Sequence, residues 1–310
     1  MIKTSQPATS SKNKRIVFFG NERLVSGLKH TDAPILHGLI RQGYNVVAIV
    51  SHHTEGKSRN NRELEVAAIA KTHAIPLFLP ENPSDILSTL RDLQADIGIL
   101  VAYGRIISQE VIDTFPLGII NIHPSLLPRY RGPTPIESAI LNGDTETGVS
   151  IMQLSRGMDD GPIYAQEVIS LKGTETKIDL YNKIVDLSER LFFEILPSIL
   201  DGSSQPHPQD RTEVTYSQLF KKSNGMLEPS SLTALEAERR IRAYTGFPKT
   251  KLTILNHSAI ITKAHITTEK KTPLDVEFRD GAYISIDELI GPSGKTMTKE
   301  AFLNGYAAGA

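Results

Sequence analysis

Residues 96–123 read DIGILVAYGRIISQEVIDTFPLGIINIH. Two apolar, β-branched runs stand inside this stretch, at 96–101 and 118–122. Each has the length of a strand buried on both faces. The same signal recurs upstream, in Arg15–Gly20 (RIVFFG), Asn45–Val50 (NVVAIV) and 75–79. Helical spacing fills the gaps. It covers Pro34–Arg41, stopping near Gly43, then 63–72, and then 83–93 with Ser84 as the expected cap. Strands alternating with helices at this rhythm predict βαβ units, an α/β fold with a Rossmann-like, mostly parallel sheet covered by helices on both faces. Ligands of such sheets lie beyond the carboxyl ends of the strands. That rule points to Gly20-Asn21, to Tyr103-Gly104-Arg105 and to Asn121-Ile122-His123.

Downstream, 147–154 and 162–171 alternate in polarity and predict two strands around a tight loop. Residues 176–200 form a long amphipathic pattern. The stretch 201–212 collects Gly, Ser, Pro, Gln and Asp and reads as a linker. Beyond it, 232–244 predicts a helix carrying Arg239, Arg240 and Arg242. Four short strand-like runs follow, at 251–255, 259–265, 276–279 and 282–289, a pattern that suggests a small β-barrel. The expected organisation is therefore a disordered tail over 1–14, a first domain over 15–202, a linker over 203–213 and a barrel domain over 214–310.

Composition narrows the chemistry. The 310 residues contain no cysteine, which excludes disulfides, thiolate metal sites and cysteine nucleophiles. Hydrophobic content of 39% and charged content of 22% suit an ordinary globular protein. The net charge of -1 gives no global field for a polyanion, so a nucleic-acid partner needs a local basic patch. From Gln205 onward Lys and Arg outnumber Asp and Glu by 14 to 12, against 20 to 23 before it. The direction suits such a patch. No apolar run approaches the roughly 18 residues of a membrane span. The polar N-terminus lacks the apolar core of a secretory signal. A cytoplasmic protein with no membrane partner is the expectation.

Candidate chemistry concentrates in 121–161. Asn121 and His123 stand two apart at a strand end and face the same side. A neutral amide can donate to a developing oxyanion, and an imidazole can move a proton near neutral pH. Pro124 and Pro128 restrict the following loop. Asp159 sits in a Met-Asp-Asp-Gly-Pro turn, where a carboxylate can orient the imidazole and favour its protonated form. Taken singly, each is an ordinary loop or turn residue. The histidines lack metal-ligand spacing, and no metal is expected.

Taken together, the residues resemble the folate-dependent formyltransferases. The resemblance covers Asn121-x-His123, Ser125-Leu126-Leu127-Pro128, Arg131-Gly132, Asn142-Gly-Asp-x-Glu-Thr-Gly148 and Asp159 in its turn. It implies roles: Asn121 donating to the formyl oxygen, His123 as acid and base, and Asp159 holding His123 and a bridging water. The formyl donor it implies is 10-formyltetrahydrofolate. Ser125, Leu126, Leu127 and Pro128 would line the folate site, and Tyr103, Gly104, Arg105, Ile106 and Ile107 match the loop that grips the pteridine through its backbone. The C-terminal segment, with Tyr216, Lys221, Lys222, Phe247-Pro248 and 302–305, resembles the oligonucleotide-binding-type barrel of the members that act on initiator methionyl-tRNA. That implies a tRNA partner, touched by Lys57, Arg59 and Arg62 in a polar loop and by Arg239, Arg240 and Arg242. The alternative acceptor is an amino-sugar nucleotide. A monomer is expected.

Overall fold

The computed structural model describes residues 11–20, 33–52 and 65–306. Of the expected disordered tail over 1–14, residues 1–10 lie outside the described residues, as do the expected tRNA contacts Lys57, Arg59 and Arg62. Residues 11–14 are ordered instead, with Ser11 buried and Lys14 paired to Asp96 at 2.9 Å.

Seven strands form the first sheet: β1 (Arg15–Gly20), β2 (Asn45–Val50), β3 (Leu77–Phe78), β4 (Ile97–Val101), β5 (Ile119–His123), β6 (Glu146–Gln153) and β7 (Ile163–Ser170). Their order is β3-β2-β1-β4-β5-β6-β7. The first five run parallel, and β6 turns antiparallel to β5. Hydrogen bonds from Leu171 N to Thr145 O (2.8 Å) and from Gln153 N to Pro162 O (2.9 Å) close both ends of a β6–β7 hairpin. Every residue of β4 and β5 is buried. Burial on both faces explains why those runs show no polar alternation, whereas β7 does alternate. Around the sheet, Phe19 packs edge-on to Tyr103 and to Phe115, each at 5.8 Å between ring centres.

The helices are α1 (Pro34–Arg41), α2 (Glu65–Thr72), α3 (Leu87–Asp92), α4 (Gln109–Ile112), α5 (Pro135–Asn142) and α6 (Lys177–Leu200). One expectation is corrected here. Ser84 does not cap the helix over 83–93. Residues Pro83–Ile86 form a 3-10 turn ahead of α3, and the Asn82 backbone N–H donates to Asp85 at 2.9 Å. The turn begins at Asn82 because Pro83 is pre-set for its first position. α5 matches no expected element; Pro135 opens it and Gly143, at φ 67, closes it in the left-handed region.

Contact density divides the chain into two compact units that interleave in sequence. One holds Met1–Pro133, Gly148–Ile169 and Lys183–Tyr216. The other holds Thr134–Thr147, Ser170–Asn182 and Ser217–Ala310. In the second unit α7 (Ala234–Ala243) starts at Thr233, whose hydroxyl accepts from Glu236 N at 3.2 Å. It precedes a curled antiparallel sheet, a half-barrel of β8 (Lys251–Ile254), β9 (His257–Thr267), β10 (Asp275–Glu277), β11 (Tyr283–Ile290) and β12 (Thr296–Thr298), followed by α8 (Lys299–Tyr306). β9 lines one edge of β11, while β10 and β12 share the other. Register shifts between Ile286 and Leu289 bend β11. Leu227, Ile241, Ile261, Ile286 and Phe302 lie in its core. Among the described residues no helix is long and apolar enough to cross a membrane.

Candidate functional site

The carboxyl ends of β1, β4 and β5 lie along one edge of the first sheet. Gly20 pairs with Val101, and Leu100 with Asn121, which places His123 beyond the level of its neighbours. Both side chains on β5 are held inside, Asn121 at 6% and His123 at 4% exposure. Asp159 reaches them from the loop after β6. Its Oδ1 lies 3.4 Å from Asn121 Nδ2, and its Oδ2 lies 3.6 Å from His123 Nδ1. The three expected residues are therefore brought together, although Asp159 follows Asn121 by 38 positions.

Hydrogen bonding fixes the histidine's tautomer. His123 Nε2 lies 2.9 Å from the Tyr130 carbonyl. A carbonyl oxygen only accepts, so Nε2 carries the proton and donates. In the neutral ring Nδ1 then has the free lone pair, and that nitrogen faces Asp159. At 3.6 Å the gap is too long for a direct hydrogen bond and suits a bridging group. The Asn121–Asp159 contact is also long, so the amide can turn to a new acceptor at small cost.

Asp159 is held by main-chain groups and by a side chain outside the quoted motifs. Its φ is 48°, in the left-handed region that a non-glycine residue enters only when its surroundings demand it. The Gly132 backbone N–H donates to its Oδ2 at 2.8 Å. Gln209 Nε2 donates to the Asp159 carbonyl at 2.7 Å and to the Gly161 carbonyl at 2.8 Å. Gly161 itself is required: a Cβ there would meet the Gln153 carbonyl oxygen at 1.9 Å. Gln209 lies in the stretch expected as a linker. That stretch is stitched to β7 by two hydrogen bonds between His207 and Ile163, at 2.7 and 2.8 Å. Polar residues with regularly placed Pro are the only signal it gave, and they read as a loop.

The expected folate-lining residues separate into two groups. Gly104, Arg105 and Ile106 are exposed, with Ile106 at 89%. Leu126 and Pro128 are half-buried. By contrast Tyr103, Ile107, Ser125 and Leu127 are buried. Ser125 Oγ donates to Arg129 O at 2.6 Å, Leu127 N donates to Ser150 Oγ at 3.1 Å, and Leu127 O accepts from Gln166 Nε2 at 2.8 Å. Those groups shape the 124–128 loop from within. Tyr103 packs on His52 at 5.6 Å, and burial pushes its phenol up to about 12, against a lesser opposing effect of Arg105.

Of the expected arginine contacts, two have structural partners. Arg242 forms a fork on Glu238, at 2.6 and 2.9 Å, and donates to Glu175 O at 2.8 Å. Arg239 donates to Asn142 O at 3.2 Å and packs on Gly143. Arg240 is half-buried on the same helix. Among the described residues no group of three or more His, Cys, Asp or Glu is arranged to hold a metal ion.

Residues 14–196 match the family described as formyl transferase. The methionyl-tRNA formyltransferase of Chloroflexus aggregans is 39% identical over 240 residues, 76% of this chain and 74% of that protein. The methionyl-tRNA formyltransferase of Lactobacillus acidophilus is 32% identical over 298 residues, 91% of this chain and 94% of that protein. Among solved structures, the N-formyltransferase of Helicobacter canadensis, in complex with folinic acid and dTDP-3-aminofucose, superposes with a TM-score of 0.66 at 18% identity. It covers 88% of this chain and 99% of its own. HypX of Aquifex aeolicus in complex with tetrahydrofolic acid gives the same TM-score and identity over 96% of this chain and 48% of its own. At that identity the two structures speak for the fold.

Proposed function

Because this chain belongs to the formyl transferase family and is a formyl-transferring enzyme, we propose that Asn121, His123 and Asp159 carry out the transfer. The donor is 10-formyltetrahydrofolate, and the acceptor is the amino group of initiator methionyl-tRNA. The observation that carries the site is the Asp159 carboxylate facing both Asn121 Nδ2 and His123 Nδ1, two side chains that are themselves buried. The acceptor rests on the methionyl-tRNA formyltransferases that resemble the chain over most of its length.

The donor supplies a formyl carbon already bonded to a nitrogen leaving group. The acceptor nitrogen bonds to that carbon, and the bond to the folate nitrogen breaks. One proton leaves the acceptor, and the departing nitrogen gains one. The chain's own groups serve each need. Asn121 Nδ2 donates to the formyl oxygen as it gains negative charge, a contact worth about 3 kcal/mol in the transition state. His123 Nδ1 takes the acceptor's proton and returns it to the leaving nitrogen, because Nε2 is occupied by Tyr130 O. Asp159 faces the imidazolium that exists between those two events. The exposed Gly104, Arg105 and Ile106, with half-buried Leu126 and Pro128, offer the surface that a pteridine covers. Exposed Lys221, Lys222, Lys249 and Lys251 of the second unit supply charge for tRNA phosphates. The protein works as a cytoplasmic monomer.

Single-turnover formylation by His123→Ala tests the reading. The expected outcome is a loss of at least a thousandfold in rate with an unchanged melting temperature. Retention of the rate within tenfold contradicts the assignment.

A further inference from the structure

Gln209 makes four hydrogen bonds, two donated and two accepted, the full capacity of an amide side chain. Its Nε2 donates to the carbonyls of Asp159 and Gly161, at 2.7 and 2.8 Å. Its Oε1 accepts from Arg131 Nε and Nη2, at 3.1 and 2.7 Å. Arg131 is buried, and its chain neighbours are the two residues whose backbones touch the reacting pair. Tyr130 O receives His123 Nε2, and Gly132 N donates to Asp159 Oδ2. The contacts form a closed circuit: Asp159 carboxylate, Gly132, Arg131 side chain, Gln209, Asp159 carbonyl.

The circuit answers a question that the site itself raises. Asp159 stands at φ 48°, a backbone conformation that is unfavourable for a non-glycine residue. Rotation out of that conformation would swing the carboxylate away from Asn121 and His123. Gln209 holds the peptide on the carbonyl side of Asp159, and Gly132 holds the carboxylate end. Between them the side chain has one orientation. Further backbone bonds keep the 130–132 segment itself in place. Tyr130 N donates to Thr215 Oγ1 at 2.8 Å, and Arg131 N donates to Thr215 O at 2.9 Å.

We propose that Gln209 is a positioning residue for formyl transfer, acting through Asp159 by clamping the 159–161 turn to Arg131. The inference rests on Asp159 being a member of the catalytic trio. Gln209 touches none of the reacting atoms, so its effect falls on turnover and not on substrate affinity.

The test replaces the donors while keeping the shape. In Gln209→Glu the carboxylate still accepts from Arg131 but faces two carbonyls with no hydrogen to give. Gln209→Met fills the space with no polar group. Both are assayed beside Asp159→Asn and the double variant Gln209→Glu/Asp159→Asn, with melting temperatures for all. The expected result is a kcat lowered tenfold to a hundredfold in both Gln209 variants. KM for donor and for charged tRNA stays within about twofold. The double variant is no slower than Asp159→Asn alone, because both changes remove one function. Wild-type kcat in both Gln209 variants, or losses that multiply in the double variant, overturns the proposal. So does unfolding of both variants below the assay temperature, which would make Gln209 a plain stability residue. If Asp159→Asn itself keeps full activity, the catalytic reading fails first, and that result is separable from the fate of Gln209.

Discussion

Tyr103 shows what a single side chain gives up to sit where it does. Its ring is fully buried between Phe19 and His52, and among the described residues its hydroxyl has no hydrogen-bond partner. A buried unpaired hydroxyl costs about 1–3 kcal/mol of desolvation. Tyr103→Phe removes that cost without changing the packing. Its melting temperature is expected to rise, by an amount equivalent to about 1 kcal/mol, as read by calorimetry. A fall of that size would mean the hydroxyl is satisfied in solution. At this scale the legible residues were those whose placement follows from their own local sequence. Asn121 and His123 share a strand face by simple alternation, and Asp159 sits in a turn that its neighbours announce. Gln209 was invisible because it acts on a residue 50 positions away through that residue's backbone. The Gly132 and Tyr130 contributions are main-chain groups, which no residue type reports.

Among the elements, the buried strands were the most legible. Runs such as IGILV and IINIH have no polar face to hide, so length and β-branching decide them. Helix α5 was the least legible. Its eight residues, PIESAILN, are too few for a period to emerge, and it lies inside a stretch whose motifs draw attention to chemistry. Its partners explain why it forms: it packs on α7 in the second unit and carries Glu137. That carboxylate meets Lys177, at the first position of α6, at 3.0 Å. The lysine is 0% exposed and also donates to Phe247 O at 3.3 Å. Removing one member of a buried pair leaves the other charge uncompensated, a loss of about 3–5 kcal/mol. Glu137→Ala is expected to lower the denaturation midpoint by that equivalent, measured in urea. A loss below about 1 kcal/mol would show that water reaches Lys177.

At the scale of the whole molecule, one carboxyl makes the half-barrel sensitive to acid. In the half-barrel Asp275 is buried, which alone would raise its pKa. Hydrogen bonds from Ser285, from the backbones of Lys271 and Thr272 and from the Thr272 hydroxyl outweigh that and hold it at about 2. A carboxyl depressed from 3.8 stabilises the fold above its unfolded pKa and loses that contribution as pH falls between about 4 and 2. Asp275→Asn should therefore melt lower than the parent at pH 5, with the two curves converging toward pH 2. A constant gap would place the benefit of Asp275 outside its charge. The two-part organisation also divides the functional account. The chemistry proposed for Asn121, His123 and Asp159 is common to any amine acceptor, and resemblance over most of the chain's length is the main support for tRNA. A direct measurement is competition at the purified protein: 10-formyltetrahydrofolate with equal concentrations of charged initiator tRNA and an amino-sugar nucleotide. The account predicts that formyl label appears on methionyl-tRNA with a kcat/KM at least a thousandfold higher than on the sugar. Label on the amino sugar with the charged tRNA left unformylated would contradict it.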